Sequence, residues 1–140
     1  MQPAIEAGTV EAIIRDGVPL IGGFGVTVTA LGIGTATLLM PCRDDFVRPG
    51  GTITGPALFG LADVALYAAV LSRIGRVELA VTTSMAINFL RRPALATVRA
   101  EARLLKLGKR LAYGEVLLFS EGEADPVAHA TGTYSIPPGA

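Results

Sequence analysis

The chain has 140 residues, enough for one domain with a substantial apolar core and too few for two of ordinary size. Apolar residues make up 51% of the sequence and charged residues 17%, a more apolar balance than an average globular domain carries. Twelve basic and twelve acidic residues cancel, so no overall field favours nucleic acid or an anionic membrane as a partner. We therefore expect a single domain over residues 1–140, with its core at about 20–136, that covers apolar surface by forming a homo-oligomer.

The cysteine and histidine content indicates the cellular compartment and limits the metal sites that the chain can form. Cys42 is the single cysteine and His129 the single histidine. One cysteine cannot form an intrachain disulfide, so we expect a reducing, cytoplasmic compartment. One cysteine and one histidine cannot supply a Cys/His zinc site within one chain, and no metal is predicted. The N-terminal residues also lack the basic and apolar regions of a signal peptide.

The first third of the chain predicts a helix, a strand pair and a loop. Residues 9–15 are typical of a short amphipathic helix, which Gly17 and Pro19 end. Residues 24–40 alternate β-branched and small residues around a glycine-containing break, which predicts a hairpin or a bent pair of strands. Residues 41–55 are rich in Pro, Gly, Asp and Arg and predict a loop.

A long apolar helix is predicted next. Thr54 is a suitable N-cap, and Pro56 suits the first helical turn because its missing N–H would have no partner there. The helix fades near residues 72–75. Its apolar run is only about 16 residues, shorter than the roughly 20 that a bilayer needs, and Asp63 lies in its middle. We therefore predict a helix buried inside the protein and no membrane partner.

Four strands are predicted after the helix, at residues 79–90, 97–107, 110–120 and 127–136. Alternation of apolar and charged residues predicts an antiparallel sheet with one solvated side. Leu104 and Leu105 break the alternation, so a helical interpretation of that stretch stays open. The order of a strand pair, one apolar helix and then a meander predicts an α+β fold, in which a curved sheet wraps around one long central helix.

Four runs of sequence resemble one known family. GTITGPALFGLADVA (residues 51–65) resembles the helix signature of PaaI-like acyl-CoA thioesterases, the phenylacetate-degradation type. TTSMAINFLRRP (82–93) is similar to that family's central strand, KLGKRLAYGEV (106–116) to its hairpin, and HATGTY (129–134) to its last strand. The resemblance implies the hot-dog fold, hydrolysis of an acyl-CoA to a free acid and CoA, and no cofactor beyond the CoA of the substrate.

Thioester hydrolysis needs a base or nucleophile near the carbonyl carbon and a donor for the oxyanion that develops on its oxygen. Asp63 is the one carboxylate of the predicted helix, and its apolar surroundings suit either role. Gly55 lies at the helix start, where free N–H groups and the helix dipole favour negative charge. We predict that Asp63 is the catalytic carboxylate and that the Gly55 N–H is the oxyanion donor. The alternatives are a structural acid and a turn glycine.

The spacing of these two residues predicts a shared site. Eight residues separate Gly55 from Asp63, which is about 12 Å along a helix, so one carbonyl group cannot lie about 3 Å from both. If both act on one thioester, they come from two copies of the chain whose helices run antiparallel across a twofold axis. The resemblance implies the same arrangement in a dimer or a dimer of dimers.

The sequence also departs from the family pattern. Thr54 stands where the family has His, Pro56 stands where it has a second Gly, and Arg48 stands at a position that is often Asn. Thr54 can still hydrogen-bond a thioester oxygen, and Arg48 can bind a carboxylate or a phosphate. These departures leave open an alternative function, a non-catalytic hot-dog module that binds acyl-CoA or acyl carrier protein.

Further candidate site residues are suggested by their positions in the predicted helix and strands. The resemblance places a hydroxyl that holds the attacking water at Thr82 or Thr83, although threonine is common in strands. Phe59 and Tyr67 could line an acyl pocket or pack in the core, and His129 is expected to be structural. Basic residues at strand ends could hold the CoA phosphates or form a solvated edge: Arg91, Arg92, Lys109 and Arg110.

Overall fold

The computed structural model describes residues 2–139. Their helices are α1 (Ala7–Gly17), α2 (Pro19–Gly22) and α3 (Gly55–Ile74), with a short 3₁₀ turn at Asp44–Phe46. Their strands are β1 (Thr27–Leu31), β2 (Thr35–Met40), β3 (Val47–Arg48), β4 (Thr52–Ile53), β5 (Val81–Phe89), β6 (Val98–Leu107), β7 (Leu111–Ser120) and β8 (Ala128–Ser135).

Six of the strands form one antiparallel sheet in the order β1-β2-β6-β7-β8-β5, and β3 pairs with β4 separately. Strand β5 therefore lies at an edge beside β8 and not beside β6, which follows it in the chain. The predicted meander after the helix is wrong at this point, and β5 is not a central strand within one chain. Alternation along a strand shows which face is buried but not which strand is its neighbour.

The long helix α3 lies against this sheet and forms the centre of the core. Fourteen of its twenty residues are buried, and it contacts all six strands of the sheet. Burying a side chain such as Leu66 stabilises the fold by about 1.5–3 kcal/mol. The predicted α+β architecture is confirmed.

The length of α3 corrects one step of the sequence argument. The helix has twenty residues and is long and apolar enough to cross a membrane by length and composition alone. The shortness of the apolar run is therefore not a valid reason against a membrane span. The burial of most of the helix within its own sheet is the feature that identifies it as a core helix.

Two glycines let α3 approach the sheet closely. Gly114 of β7 and Gly132 of β8 are cross-strand partners. A β-carbon at Gly114 would lie 2.7 Å from Cδ1 of Leu66, and one at Gly132 would lie 2.9 Å from its Cδ2. Since both distances are shorter than a normal contact, Leu66 occupies the space that side chains would take at these two positions.

The loop predicted at residues 41–55 is interrupted by the 3₁₀ turn and by the two short strands β3 and β4. The strand pair at residues 24–40 is confirmed as β1 and β2, and the helical interpretation of residues 97–107 is wrong because they form β6. The register of β6 against β7 shifts between Leu104 and Lys106, and this bulge explains the broken alternation. Gly17 ends α1 as predicted, whereas Pro19 also begins the short helix α2.

The outer face of the sheet carries a charged cluster that includes the one histidine. Arg103 Nε donates to Glu115 Oε2 at 2.6 Å, and His129 Nε2 lies 2.9 Å from Glu115 Oε1. These residues lie on the three adjacent strands β6, β7 and β8. His129 thus contacts a surface ion pair, in the structural position expected for it.

Candidate active site

Asp63 lies at the middle of α3, and its carboxylate faces strands β5 and β8. The Thr82 hydroxyl donates to Asp63 Oδ1 at 2.6 Å, and the Tyr134 hydroxyl lies 2.7 Å from the same oxygen. Asp63 is partly exposed, whereas its neighbours Ala62 and Val64 are buried. A carboxylate held by two hydroxyl groups and still open to solvent can accept a proton or attack a carbon atom.

Gly55 is the first residue of α3. Thr54 is the N-cap, as predicted, but its side chain makes no capping hydrogen bond. Among residues 2–139, no backbone carbonyl accepts a hydrogen bond from the Gly55 N–H, and Pro56 has no N–H to offer. The start of α3 therefore presents a free donor and the positive end of the helix dipole.

An apolar groove of about 800 Å³ connects the two residues, and Gly55 and Asp63 both lie in its wall. Phe59 and Gly60 line it from α3, and Ile87 and Phe89 line it from β5. Ile21 of α2 and Phe24, which follows α2, complete the wall. Phe59 and Phe89 are 37% and 55% exposed. The groove thus offers open apolar surface between a helix start and a carboxylate.

The two ends of β5 lie beside Asp63 and Gly55. Thr82, near the start of the strand, contacts Asp63, and the Phe89 ring at its end lies 3.2 Å from where a β-carbon of Gly55 would be. Helix α3 and strand β5 therefore run in opposite directions along the groove.

Arginines surround the Gly55 end. A cleft of about 360 Å³ is lined by Gly55, Arg48, Arg91 and Arg92. Arg91 Nε donates to the Pro126 carbonyl at 3.0 Å, and Arg92 donates to the Gly50 carbonyl. These bonds orient two guanidinium groups beside a helix start, where an anionic group would be favoured.

Not every predicted residue joins this cluster. The Thr83 side chain is exposed and bonds the Thr133 carbonyl at 3.3 Å, so Thr82 and not Thr83 is the residue that contacts Asp63. Lys109 and Arg110 lie in the β6–β7 turn, where Ile136 N–H donates to the Arg110 carbonyl at 2.7 Å. That turn is at the Val81 end of the sheet, far from Arg91 and Arg92 within the same chain.

Tyr67 is buried on the other side of Asp63. Its hydroxyl donates to the Glu78 carbonyl at 3.0 Å, and burial raises the pKa of this phenol, with the charge of Glu78 adding to the effect. With Asp63, Thr82 and Tyr134 it lines a separate cleft of about 380 Å³. Tyr67 is therefore next to the carboxylate but not in the apolar groove that Phe59 lines.

Tyr134 is the residue of this site that the sequence analysis missed as a candidate. It lies on β8 directly opposite Thr82 on β5 and is 3% exposed. The sequence offered one signal, the position of Tyr134 in the alternation of the strand. Residues 128–134 of β8 alternate between buried and half-buried, and Tyr134 is one of the buried residues. This alternation predicts that Tyr134 is in the core, but it does not predict that the hydroxyl contacts Asp63, 71 positions earlier in the chain.

Comparison with known proteins places this chain in a family. Residues 50–127, more than half of the chain, match the thioesterase superfamily. The chain belongs to the thioesterase superfamily. The matched segment contains α3 with Gly55 and Asp63, and also Thr82 on β5.

Solved structures of similar proteins have the same fold. The crystal structure of a "putative thioesterase" from Silicibacter sp. TM1040 is 44% identical, covers 99% of this chain and 96% of that one, and has a TM-score of 0.87. A variant of the phenylacetic acid degradation protein PaaI from Thermus thermophilus is 31% identical over 85% of this chain and 99% of that one, with a TM-score of 0.75. The hot-dog fold and the PaaI-like resemblance are confirmed.

A relative known from sequence agrees with this placement. "Putative esterase TV1331" from Thermoplasma volcanium is 31% identical over 101 residues, which is 72% of this chain and 74% of that protein. By family, the chain is thus a member of the thioesterase superfamily with the hot-dog fold, and the names of its relatives point to thioesterase or esterase activity.

Proposed function

We propose that this protein hydrolyses an acyl-CoA thioester to a free acid and CoA, at a site shared by two copies of the chain. The observation that carries the proposal is Asp63, whose carboxylate is held by Thr82 and Tyr134 in the wall of an apolar groove that also reaches Gly55. A carboxylate for the carbonyl carbon and a free N–H for the carbonyl oxygen are the two groups that the reaction needs.

The chemistry can take two routes with the same products. In one, Asp63 accepts a proton from water as the water oxygen bonds to the carbonyl carbon. In the other, an Asp63 oxygen attacks that carbon and forms a mixed anhydride, which water then hydrolyses. In both, the carbon–sulfur bond breaks and the CoA thiolate leaves and takes a proton, while the Gly55 N–H stabilises the charge on the carbonyl oxygen.

The edge strand β5 supports a site shared by two copies. It offers unpaired backbone groups, and Val81 and Phe89 at its two ends are 57% and 55% exposed. An exposed apolar edge is a template for pairing with another strand. If two β5 strands pair antiparallel about a twofold axis, β5 becomes a central strand of the joined sheet, as the family resemblance implies.

This pairing would also bring the two catalytic groups together. Within one chain, Asp63 is beside the start of β5 and Gly55 beside its end. Antiparallel pairing brings the start of one β5 next to the end of the other, so Asp63 of one copy approaches Gly55 of the second. The twofold axis repeats the arrangement, and each dimer would hold two sites.

The groove and the arginines suit the two parts of an acyl-CoA. The acyl chain would lie against Phe59, Ile87 and Phe89 in the apolar groove. The CoA phosphates would meet Arg48, Arg91 and Arg92 in the cleft at the helix start. In the proposed dimer, Lys109 and Arg110 of the second copy would approach the same end, because the β6–β7 turn is beside the start of β5.

The decisive measurement is CoA release from a panel of short, medium and aryl acyl-CoAs by the purified full chain. We expect turnover in the wild type and a loss of about 10²- to 10⁴-fold in Asp63→Asn and Asp63→Ala, with acyl-CoA binding retained in calorimetry. Asp44→Asn, at an exposed acid in the 3₁₀ turn, is the matched control. Binding without turnover in the wild type would favour the non-catalytic module, and full activity in both Asp63 variants would remove Asp63 from the mechanism.

Mixed dimers test the shared site separately. Chains that carry Asp63→Asn are refolded together with chains that carry Gly55→Pro, each of which alone has little activity. If the groups come from different copies, a mixed dimer has one intact site, and random mixing restores about a quarter of the wild-type activity. If both groups act within one chain, no mixture contains an intact site, and the activity stays at the level of the single variants.

A further inference from the structure

Strands β5 and β8 present two hydroxyl groups to one oxygen of Asp63. Thr82 and Tyr134 are cross-strand partners, and their hydroxyl oxygens lie 2.6 and 2.7 Å from Asp63 Oδ1. Among residues 2–139, no side chain or backbone group donates a hydrogen bond to Asp63 Oδ2. The two oxygens of this carboxylate are therefore in different environments.

The Tyr134 ring is fixed by its surroundings. It is 3% exposed and stacks on the Tyr67 ring, with 5.8 Å between the centroids and 22° between the planes. The Tyr67 hydroxyl in turn donates to the Glu78 carbonyl. A ring held by stacking and burial has few alternative positions for its hydroxyl, so the contact with Asp63 is preorganised.

The ionisation state of Tyr134 suits a permanent donor. Burial raises the pKa of this phenol far above its ordinary value, and the negative charge of Asp63 raises it further. The hydroxyl thus stays protonated at neutral pH and can donate, and a carboxylate can only accept.

We propose that Tyr134 is a positioning residue of the hydrolysis. Together with Thr82 it holds Asp63 Oδ1, which leaves Oδ2 as the oxygen that meets the water or the thioester carbon. This inference rests on the proposed function, since it assigns the working atom of the same carboxylate. Without Tyr134 the carboxylate keeps one donor and can rotate, so fewer molecules hold Oδ2 towards the groove.

A purely structural role is the competing explanation. The Tyr134 hydroxyl is also 2.9 Å from the Asp63 backbone carbonyl, and it has one proton to donate. If that proton goes to the carbonyl, Tyr134 ties β8 to α3 and does not orient the carboxylate. The two roles differ in what they affect, because a structural link changes stability and an orienting bond changes kcat.

Tyr134→Phe tests the proposal, since it keeps the ring and its stacking and removes the hydroxyl. We expect kcat to fall about tenfold or more, as for a lost hydrogen bond to a charged group, with KM little changed. Tyr113→Phe, at an exposed tyrosine of β7, is the control and should keep the wild-type kcat. A lower melting temperature of Tyr134→Phe with unchanged kcat would overturn the proposal.

A double-mutant cycle separates the two roles further. If Tyr134 acts through the carboxylate, Tyr134→Phe should change the residual rate of Asp63→Asn by less than about twofold. An equal loss of rate in both backgrounds would contradict the proposal. If Tyr134→Phe does not fold, Thr82→Val and Thr82→Ser test the same oxygen, with a tenfold loss expected only for Val; equal rates in these two would overturn it.

The failures of the two proposals are distinguishable. If Asp63→Asn is inactive and Tyr134→Phe keeps the wild-type kcat, the role of Tyr134 is wrong and the proposed function stands. If Asp63→Asn keeps full turnover, the proposed function itself is wrong.

Discussion

The Thr82 hydroxyl donates a 2.6 Å hydrogen bond to Asp63 Oδ1 and so joins the start of an edge strand to the middle of the central helix. The bond holds the Asp63 carboxylate beside the start of β5. Gly55 marks the other end, next to Phe89. The arrangement of the proposed dimer follows from this polarity.

The first prediction concerns the oxyanion donor. Gly55→Pro removes the N–H at the helix start and should lower kcat about 10²- to 10³-fold, as for the loss of one oxyanion-hole donor. Proline is tolerated there because it is the first residue of α3 and because Thr54, with φ −66° and ψ 143°, has the conformation that precedes proline. The measurement is kcat with a saturating acyl-CoA.

Gly55→Ala is the matched control for this change. It keeps the N–H and brings a β-carbon to 3.2 Å from the end of the Phe89 side chain, which can move. We expect a much smaller loss of kcat than for Gly55→Pro. Equal losses in the two variants would show that the space at this position matters and the N–H does not.

The second prediction concerns the arginine cleft. Arg48→Gln removes a cation from the cleft at the start of α3 and should raise KM for an acyl-CoA about tenfold, because a charge-assisted contact to phosphate is lost. The same acyl group on pantetheine, which has no phosphates, should show no change. Arg99→Gln, on β6 over the Phe119 ring, is the control. Equal effects on both substrates would contradict a role in phosphate binding.

The third prediction concerns the contact between helix and sheet. Gly114→Ala places a β-carbon 2.6 Å from the Arg103 carbonyl oxygen and 2.7 Å from Leu66 Cδ1. Since a backbone atom cannot move away easily, we expect a loss of about 1–3 kcal/mol in the free energy of unfolding. Gly8→Ala, in α1 with no atom within 4 Å, should instead stabilise by about 0.5–1 kcal/mol. Urea denaturation measures both, and an unchanged Gly114→Ala would mean that the sheet adapts.

The fourth prediction concerns pH. The hydrogen bond from His129 lowers the pKa of Glu115, and the bond from Arg103 adds to the effect. A carboxyl group whose folded pKa is lowered contributes stability above its unfolded pKa and loses it as the pH falls through the folded pKa. Glu115→Gln should therefore destabilise at pH 7 by less than about 1 kcal/mol, since the cluster lies at the surface.

The difference between the wild type and Glu115→Gln should shrink towards zero as the pH falls below about 4. Denaturant titrations at pH 7 and at low pH measure it. Glu123→Gln, in the exposed β7–β8 turn, serves as the control and should show no such trend. A difference that stays constant with pH would mean that the charge of Glu115 contributes nothing.

Local patterns in the sequence were sufficient for the longer helices and strands and for half of the site. The apolar run around Asp63, with Thr54, Gly55 and Pro56 before it, predicted a buried helix with an acid in its middle and a free helix start. These properties depend on residues within a few turns of each other, and local capping and burial rules apply to them.

Long-range packing alone decided the rest. The pairing of β5 with β8 and the bulge near Leu104 depend on strands that are separated in the chain. The contacts with Asp63 also join distant residues, since Thr82 lies 19 positions and Tyr134 lies 71 positions after it. Alternation specifies the buried face of each strand, but many neighbours could satisfy the same alternation, so it does not determine strand order. Only the folded chain, with α3 covered on one side by all six strands, selects the partner that each strand and each hydroxyl group finds.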